Sequence, residues 1–199
     1  MEDDVYHPCQ GLADIMTIKE KFGTFKGVKF VMSWAYSPSV HKPLAVPQSA
    51  IIAATKMGCD TVLAHPKGME LDDKILEHCK VFSEENESSF EIVNDMEEAF
   101  EGAHVVYPKA WTCKQFIPPF NSKPELEKSQ VLFDKNKHWI CDDDMMKIAG
   151  PKAAYMHCLP CDRGFEVSNS VIDSPQSIAF DQAENRLHAQ KAVMALTMR

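Results

Sequence analysis

Ala153-Ala154-Tyr155-Met156-His157-Cys158-Leu159-Pro160 is the stretch from which the fold can be read. Its apolar first half has the length and composition of a buried strand, Ala153–Cys158, and a proline and a charged loop stop it. A strand that ends this way delivers its last side chains and carbonyls to the rim of a sheet, where α/β proteins bind ligands. Two more polar clusters flank the chain, His7-Pro8-Cys9-Gln10 near the start and Glu184-Asn185-Arg186-Leu187-His188 near the end. Clusters spread so widely imply one site assembled by folding.

Outward from that strand the pattern alternates. Apolar positions at helical spacing run from Gly11 to Phe22, with Gly23 as the stop. Val28–Trp34 reads as a strand, and a loop with Pro38, Pro43 and Pro47 follows. Gln48–Met57 reads as a helix, Thr61–Ala64 as a strand and Asp72–Phe82 as a helix. Phe90–Val93 is a strand and Met96–Phe100 a short helix, with Asp95 as its N-cap. His104–Tyr107 is another strand. Residues 112–123 read as a long loop, and 124–149 as one or two helices with Asp142-Asp143-Asp144 capping the second. Ser177–Phe180 reads as the last strand, and Glu184–Met198 as the final helix, with Arg186 in its first turn. Strands separated by helices predict a parallel, doubly wound, Rossmann-like sheet covered on both faces. The ligand edge then collects Ser33–Ser39, His65-Pro66, Tyr107–Trp111, His157–Arg163 and Asp181–Arg186.

Composition narrows the partners. The 199 residues suffice for one domain with its own core. A formal net charge of −8 disfavours nucleic acid and anionic membrane surfaces. No apolar run reaches the roughly 20 residues of a membrane span. The acidic start and seven scattered cysteines predict a cytoplasmic protein with free thiols.

Several chemistries compete for these residues. A dinucleotide site needs a glycine-rich turn after the first strand, and Ala35-Tyr36-Ser37-Pro38 stands there instead. Cys158-x-x-Cys161 lacks the helix N-terminus of a redox pair and a second pair for zinc. His157 and Cys158 are strand neighbours on opposite faces, so they form no dyad with each other. Arg186 is either an ion-paired surface residue or an anion clamp. His7 is either part of a disordered tail or a ligand. Lys109 is either solvated or reaches an acidic substrate group.

His7-Pro8-Cys9-Gln10, Leu12-Ala13-Asp14, His157-Cys158-Leu159-Pro160 and Asp181-Gln182-Ala183-Glu184-Asn185-Arg186-Leu187-His188-Ala189-Gln190-Lys191-Ala192 together resemble the second half of an aspartate/ornithine carbamoyltransferase. The likeness runs along essentially the whole chain. Trp34–Pro38 with Lys42-Pro43-Leu44, and Tyr107-Pro108-Lys109-Ala110-Trp111, resemble the knotted branch of that family, which includes N-acetylornithine and N-succinylornithine enzymes and relatives of unassigned substrate. The resemblance implies a threaded proline-rich loop at about 37–47, a rare exception to unknotted topology. It implies that His7, Gln10, Cys158, the Leu159 carbonyl and Arg186 bind carbamoyl phosphate. It places Lys109, Ala110, Trp111, Cys158 and Leu159 against the amino-acid amine substrate. His7, Cys158 and Arg186 would be the catalytic set, with no metal or organic cofactor, in a homotrimer. Ala110 stands where the family has a serine. By count, Asp162 and Glu166 stand where acetylornithine enzymes have an arginine and a lysine, and the loop from Ala35 to Lys42 favours the branch of unassigned substrate.

The phosphate-gripping Ser-x-Arg-Thr of the family does not occur in the 199 residues. The expectation is an amino-acid-binding domain over 1–199, with an interdomain helix in 1–22 and a helix from 184 that returns to a carbamoyl-phosphate domain. Such a fragment or natural truncation would be inactive alone; the alternative is a non-catalytic binding or assembly module.

Overall fold

A computed structural model of the chain describes residues 3, 5–116 and 123–198, without side chains for 123 and 124. Pro8–Phe22 forms α1, with proline at the first turn and Gly23 in the left-handed conformation (φ 71°) donating its N–H to the Lys19 carbonyl. Lys29–Trp34 is β1, Ala45–Lys56 α2, Asp60–Ala64 β2, Asp73–Glu85 α3 and Phe90–Val93 β3. Met96–Phe100 is α4 and Val105–Lys109 β4. A 3-10 turn covers Lys114–Phe116. Lys123–Lys135 is α5, Asp143–Ala149 α6, Ala154–Tyr155 β5, Asn169–Ile172 α7 and Ala179–Thr197 α8.

The five strands form one parallel sheet in the order β3-β2-β1-β4-β5. The chain builds outward from β1 to β3, then crosses back to lay β4 on the other side of β1. That reversal makes the β1–β4 boundary a switch point, where the connections after neighbouring strands diverge and leave a crevice. Trp34 and Lys109, the last residues of those two strands, are register partners there. All five residues of β4 are buried, as are the last five of β1, which is why these strands read as continuous apolar runs.

Aspartates define three helix starts. Asp72 accepts from the Lys74 amide, Asp95 from Glu98, and Asp142 from Asp144 and Met145. The Asp95 and Asp142 caps match the sequence expectation.

Four expectations need correction. The strand predicted over Ala153–Cys158 is only Ala154–Tyr155: beyond the Met156 amide, which still reaches Val106 O, the His157 amide turns to the Gln182 side chain. Ser177–Phe180 is not a strand. Ser177 makes one bridge to Tyr155, and α8 begins at Ala179, so Arg186 sits about two turns inside that helix and not in its first turn. Pro47 belongs to the first turn of α2, where a missing N–H has no helical acceptor to lose. The short α7, capped by Ser168 accepting from the Val171 amide, was not anticipated. The loop expected over 112–123 includes the 3-10 turn, and its remainder at 117–122 lies outside the described residues.

Two tryptophans close the switch point from inside. Trp34 Nε1 donates to the Trp111 carbonyl at 2.9 Å, and Trp111 Nε1 donates to the Met69 carbonyl at 2.8 Å. Both side chains are fully buried. Substituting Trp111→Phe leaves the Met69 carbonyl without its donor inside the core, at a cost of about 1–3 kcal/mol. Urea unfolding is expected to show a lower midpoint with an unchanged slope.

Candidate active site

The site forms where α1 and α8 meet the ends of β4 and β5. His7 caps α1: its backbone N–H donates to Ser49 Oγ at 2.7 Å, and its carbonyl accepts from the Gln10 and Gly11 amides. His7 is 7% exposed, so it is not part of a disordered tail. One turn on, Gln10 is fully buried; its Nε2 donates to Asp14 Oδ1 at 2.7 Å and its Oε1 accepts from Arg186 Nη1 at 2.5 Å. Arg186 is half-buried, and its Nε is buried with no hydrogen-bond partner among the described residues. It is thus neither a solvated surface arginine nor a saturated one.

Gln182, one turn before Arg186, carries the network to the sheet. Its Nε2 donates to Asp14 Oδ1 at 2.6 Å, and its Oε1 accepts the His157 backbone N–H at 2.8 Å. Burial pushes the Asp14 carboxyl up to about 7, against the opposing effects of Gln10, Gln182 and the Arg186 charge.

The second half of the site lies at the strand ends. The His157 ring is fully buried, accepts the Leu159 N–H on Nδ1 at 3.0 Å, and lies 3.5 Å from Glu166 Oε2 through Nε2. Burial lowers the His157 pKa. Leu159 adopts φ 49°, in the left-handed region, and the peptide bond to Pro160 is cis. Left-handed backbone at a leucine costs on the order of 1 kcal/mol and persists where the surroundings hold it; here the His157 ring bonds the Leu159 amide. Cys158 is half-buried, and burial raises its thiol pKa against the lowering effect of the Lys109 charge. It stands as a neutral thiol, not a nucleophilic thiolate. Cys161, also raised by burial, is a free thiol like Cys158.

Glu166, named from the sequence only as a replacement by count, proves central. It is 1% exposed, yet Oε1 takes the Ala110 amide and Oε2 the Asp162 amide, each at 2.7 Å. Burial alone would raise its pKa; contact with His157, the Lys109 charge and the Ala110 amide overcome that and hold it well below the usual range. Lys109 is 6% exposed, with Nζ 3.3 Å from the Ala110 carbonyl, so it is not a solvated lysine. Asp162 is bound by Ser37 Oγ and Lys42 Nζ, each at 2.6 Å, which ties the loop after β1 to the loop after β5.

The predicted residues therefore fall into three groups. His7, Gln10 and Arg186 are joined directly or within one helical turn, and Gln182 links them to the segment carrying Cys158 and Leu159. Lys109 stands electrostatically against His157, Cys158 and Glu166. Ala110 and Trp111 are fully buried; the Ala110 amide, the Trp111 carbonyl and the Trp111 indole N–H bond within the protein. His65 at the end of β2 bonds locally to Pro66 O and takes no part.

Residues 43–197 match the family described as "Aspartate/ornithine carbamoyltransferase, Asp/Orn binding domain". The chain belongs to that family. Among curated carbamoyltransferases, the anabolic ornithine carbamoyltransferase of Pyrococcus furiosus is 43% identical over 195 residues, which is 98% of this chain and 57% of the relative. The N-acetylornithine carbamoyltransferase of Xanthomonas campestris is 38% identical, over 97% of this chain and 56% of its own length. Among solved structures, an acetylornithine transcarbamylase complexed with acetylcitrulline superposes with a TM-score of 0.88 at 36% identity, covering 96% of this chain and 56% of the other. The chain thus spans a little over half the length of the curated relatives it matches.

Two outcomes follow from the buried acids. Glu166→Gln supplies one acceptor oxygen for two amides and leaves the other facing an NH2 group, costing at least about 1–3 kcal/mol in chemical denaturation. Asp14 behaves oppositely with pH. Its folded pKa is raised, so between about 4 and 7 the unfolded chain releases the proton first, and the Asp14 contribution to stability falls as pH rises through that window. D14N lacks this dependence. The stability difference between D14N and the wild type should therefore move in favour of D14N from pH 5 to pH 8, measured by urea unfolding at each pH.

Proposed function

We propose that this chain forms the amino-acid-binding side of a carbamoyltransferase site, which moves the carbamoyl group of carbamoyl phosphate to the amine of ornithine or a related amino acid. The observation that carries this reading is the Gln10–Arg186 bond, because it joins the first and last polar clusters of the sequence into one buried corner beside Cys158 and Leu159.

The chemistry follows from the groups present. The neutral amine nitrogen attacks the carbamoyl carbon, negative charge collects on the carbamoyl oxygen, the C–O bond to phosphate breaks, and the departing phosphate takes up the proton that the nitrogen loses. His7 and Arg186 are donors for that oxygen, fixed before reaction by the α1–α8 network, and preorganised donors of this kind stabilise developing charge strongly. Gln10 keeps one N–H and one lone pair beyond its internal bonds and with them meets the carbamoyl amide. The Leu159 carbonyl and the neutral Cys158 thiol face the same amide. Cys158 positions and does not attack. His157 is no general base, because its Nδ1 is occupied by the Leu159 amide and its ring is sealed from solvent. Lys109 binds the carboxylate of the amino acid.

The choice between ornithine and an N-acyl ornithine turns on the loop after β5. Asp162 and Glu166 are committed to internal bonds, which leaves Lys109 as the charged group for the acceptor. This supports an amino acid with a free carboxylate and does not call for a cationic acyl-binding side chain. In the same reading the chain threads through the loop 37–47. The Thr112 amide bonding Lys42 O supports this, since it holds a later segment against that loop, and the Tyr36 amide bonding Trp139 O does the same just before the loop begins. The family's Ser-x-Arg-Thr phosphate grip does not occur in these 199 residues, so binding without turnover is the expectation for this polypeptide.

Calorimetry tests the reading. Carbamoyl phosphate should bind the wild-type chain and bind Arg186→Ala at least about tenfold more weakly, a loss of roughly 1.4 kcal/mol. Lys109→Met should weaken an amino-acid substrate and leave carbamoyl phosphate unaffected. A wild-type chain that binds neither ligand would favour the non-catalytic binding or assembly module instead.

A further inference from the structure

Asp14 touches neither substrate in the mechanism above, yet the groups that do converge on it. It lies on the inner face of α1 and is 1% exposed. One of its oxygens, Oδ1, receives both Gln10 Nε2 at 2.7 Å and Gln182 Nε2 at 2.6 Å. We propose that Asp14 is a positioning residue that sets the orientation of these two side-chain amides, and through them aims Arg186 and fixes the His157–Cys158 backbone. The inference deepens the carbamoyltransferase reading and rests on it for its functional consequence.

The argument is one of donors and acceptors. A glutamine amide has a donor end and an acceptor end of nearly equal shape, so only its partners decide which way it faces. Asp14 Oδ1 accepts whether the carboxyl is ionised or carries its proton on Oδ2, an atom with no partner among the described residues. Both glutamines must therefore turn their NH2 groups toward Asp14 and their oxygens away. Gln10 then presents its oxygen to Arg186 Nη1, and Gln182 presents its oxygen to the His157 N–H at 2.8 Å. Reversing either amide sets donor against donor, NH2 against guanidinium in one case and NH2 against a backbone N–H in the other. In a corner this dry, such a clash leaves both groups unsatisfied. One acceptor atom thus fixes two distant geometries, the arginine that faces the carbamoyl oxygen and the turn that carries Cys158 and Leu159.

The docking of the two helices does not depend on Asp14 alone. Asn185 Nδ2 donates to Thr17 Oγ1 at 3.0 Å and to Glu20 Oε2 at 2.7 Å, a second clamp between α8 and α1 one turn away. Loss of Asp14 should then free the amides without separating the helices. The Asn185 clamp provides the contrasting control.

The test compares D14A, D14N and N185A with the wild-type chain in two measurements. One is the exchange rate of the Gln10 and Gln182 side-chain amide protons by NMR, and the other is carbamoyl phosphate affinity by calorimetry. In D14A both amide signals should lose protection and affinity should fall about 30-fold, as expected for the loss of two buried bonds. D14N keeps an acceptor at the Oδ1 position, so it should restore protection and bring affinity within about threefold of wild type. N185A should lower the unfolding temperature while leaving amides and affinity unchanged. Wild-type amide protection and affinity in D14A would overturn the proposal, as would a D14N chain as impaired as D14A. Failure of the wild-type chain to bind carbamoyl phosphate would remove the functional reading, and the amide signals would then decide the positioning role by themselves.

Discussion

The Gln182 side chain spans the space between the first helix and the last strand, with Nε2 on Asp14 and Oε1 on the His157 amide. A backbone N–H at the end of a buried strand has to find an acceptor, and β5 has run out of ladder partners at that point. Satisfying that donor with Gln182 holds α8 over the end of β5, while the Asn185 bonds to Thr17 and Glu20 help dock it against α1. The turn at Leu159 follows from it, and so does the approach of Arg186 to Gln10. The site is in this sense a by-product of polar groups that burial has left only one way to pair.

Glu166 applies the same constraint on the other side of the crevice. A carboxylate at 1% exposure survives only with strong partners, and the Ala110 and Asp162 amides supply them in company with His157 and Lys109. Because Ala110 follows β4 and Asp162 follows β5, the carboxylate staples the two strand ends at the place where the crevice opens. The Lys42–Asp162 pair extends the staple to the loop after β1. Charge inside this fold thus sits where three connections must be held in register, as it does where Asp14 on α1 and Arg186 on α8 face each other through Gln10. Among the described residues, the ends of β2 and β3, on the far side of the sheet, carry no comparable cluster.

Much of this was legible in the linear chain. Long strands and helices announced themselves by periodicity, and Asp95 and Asp142 were readable as caps because a cap is a local device. The elements misread were those whose identity is settled at a distance. Ala153–Cys158 has a strand's composition, but its second half is claimed by Gln182 from α8. Ser177–Phe180 looked like a strand because four residues cannot distinguish a bridge and a helix start from an edge strand. Among the candidate site residues, His7, Gln10, Lys109, Cys158, Leu159 and Arg186 stood out by chemical type and motif. Asp14 and Gln182 lay within the same motifs without a visible role, and Glu166 looked like one more charged loop residue. Trp111, which the resemblance sets against the substrate, is buried with its indole N–H on the Met69 carbonyl.

Apolar periodicity and short motifs that keep their spacing are enough to define the parallel α/β architecture, the order of its elements and the family to which they belong. Which polar atoms face one another emerges only once the chain is folded. The Gln182–Asp14 and Asn185–Thr17 bonds each join residues 168 positions apart, and Ala110–Glu166 joins residues 56 apart. No local pattern encodes such pairs. They are chosen when packing excludes water and each buried donor and acceptor must be satisfied by whatever the fold has brought within reach.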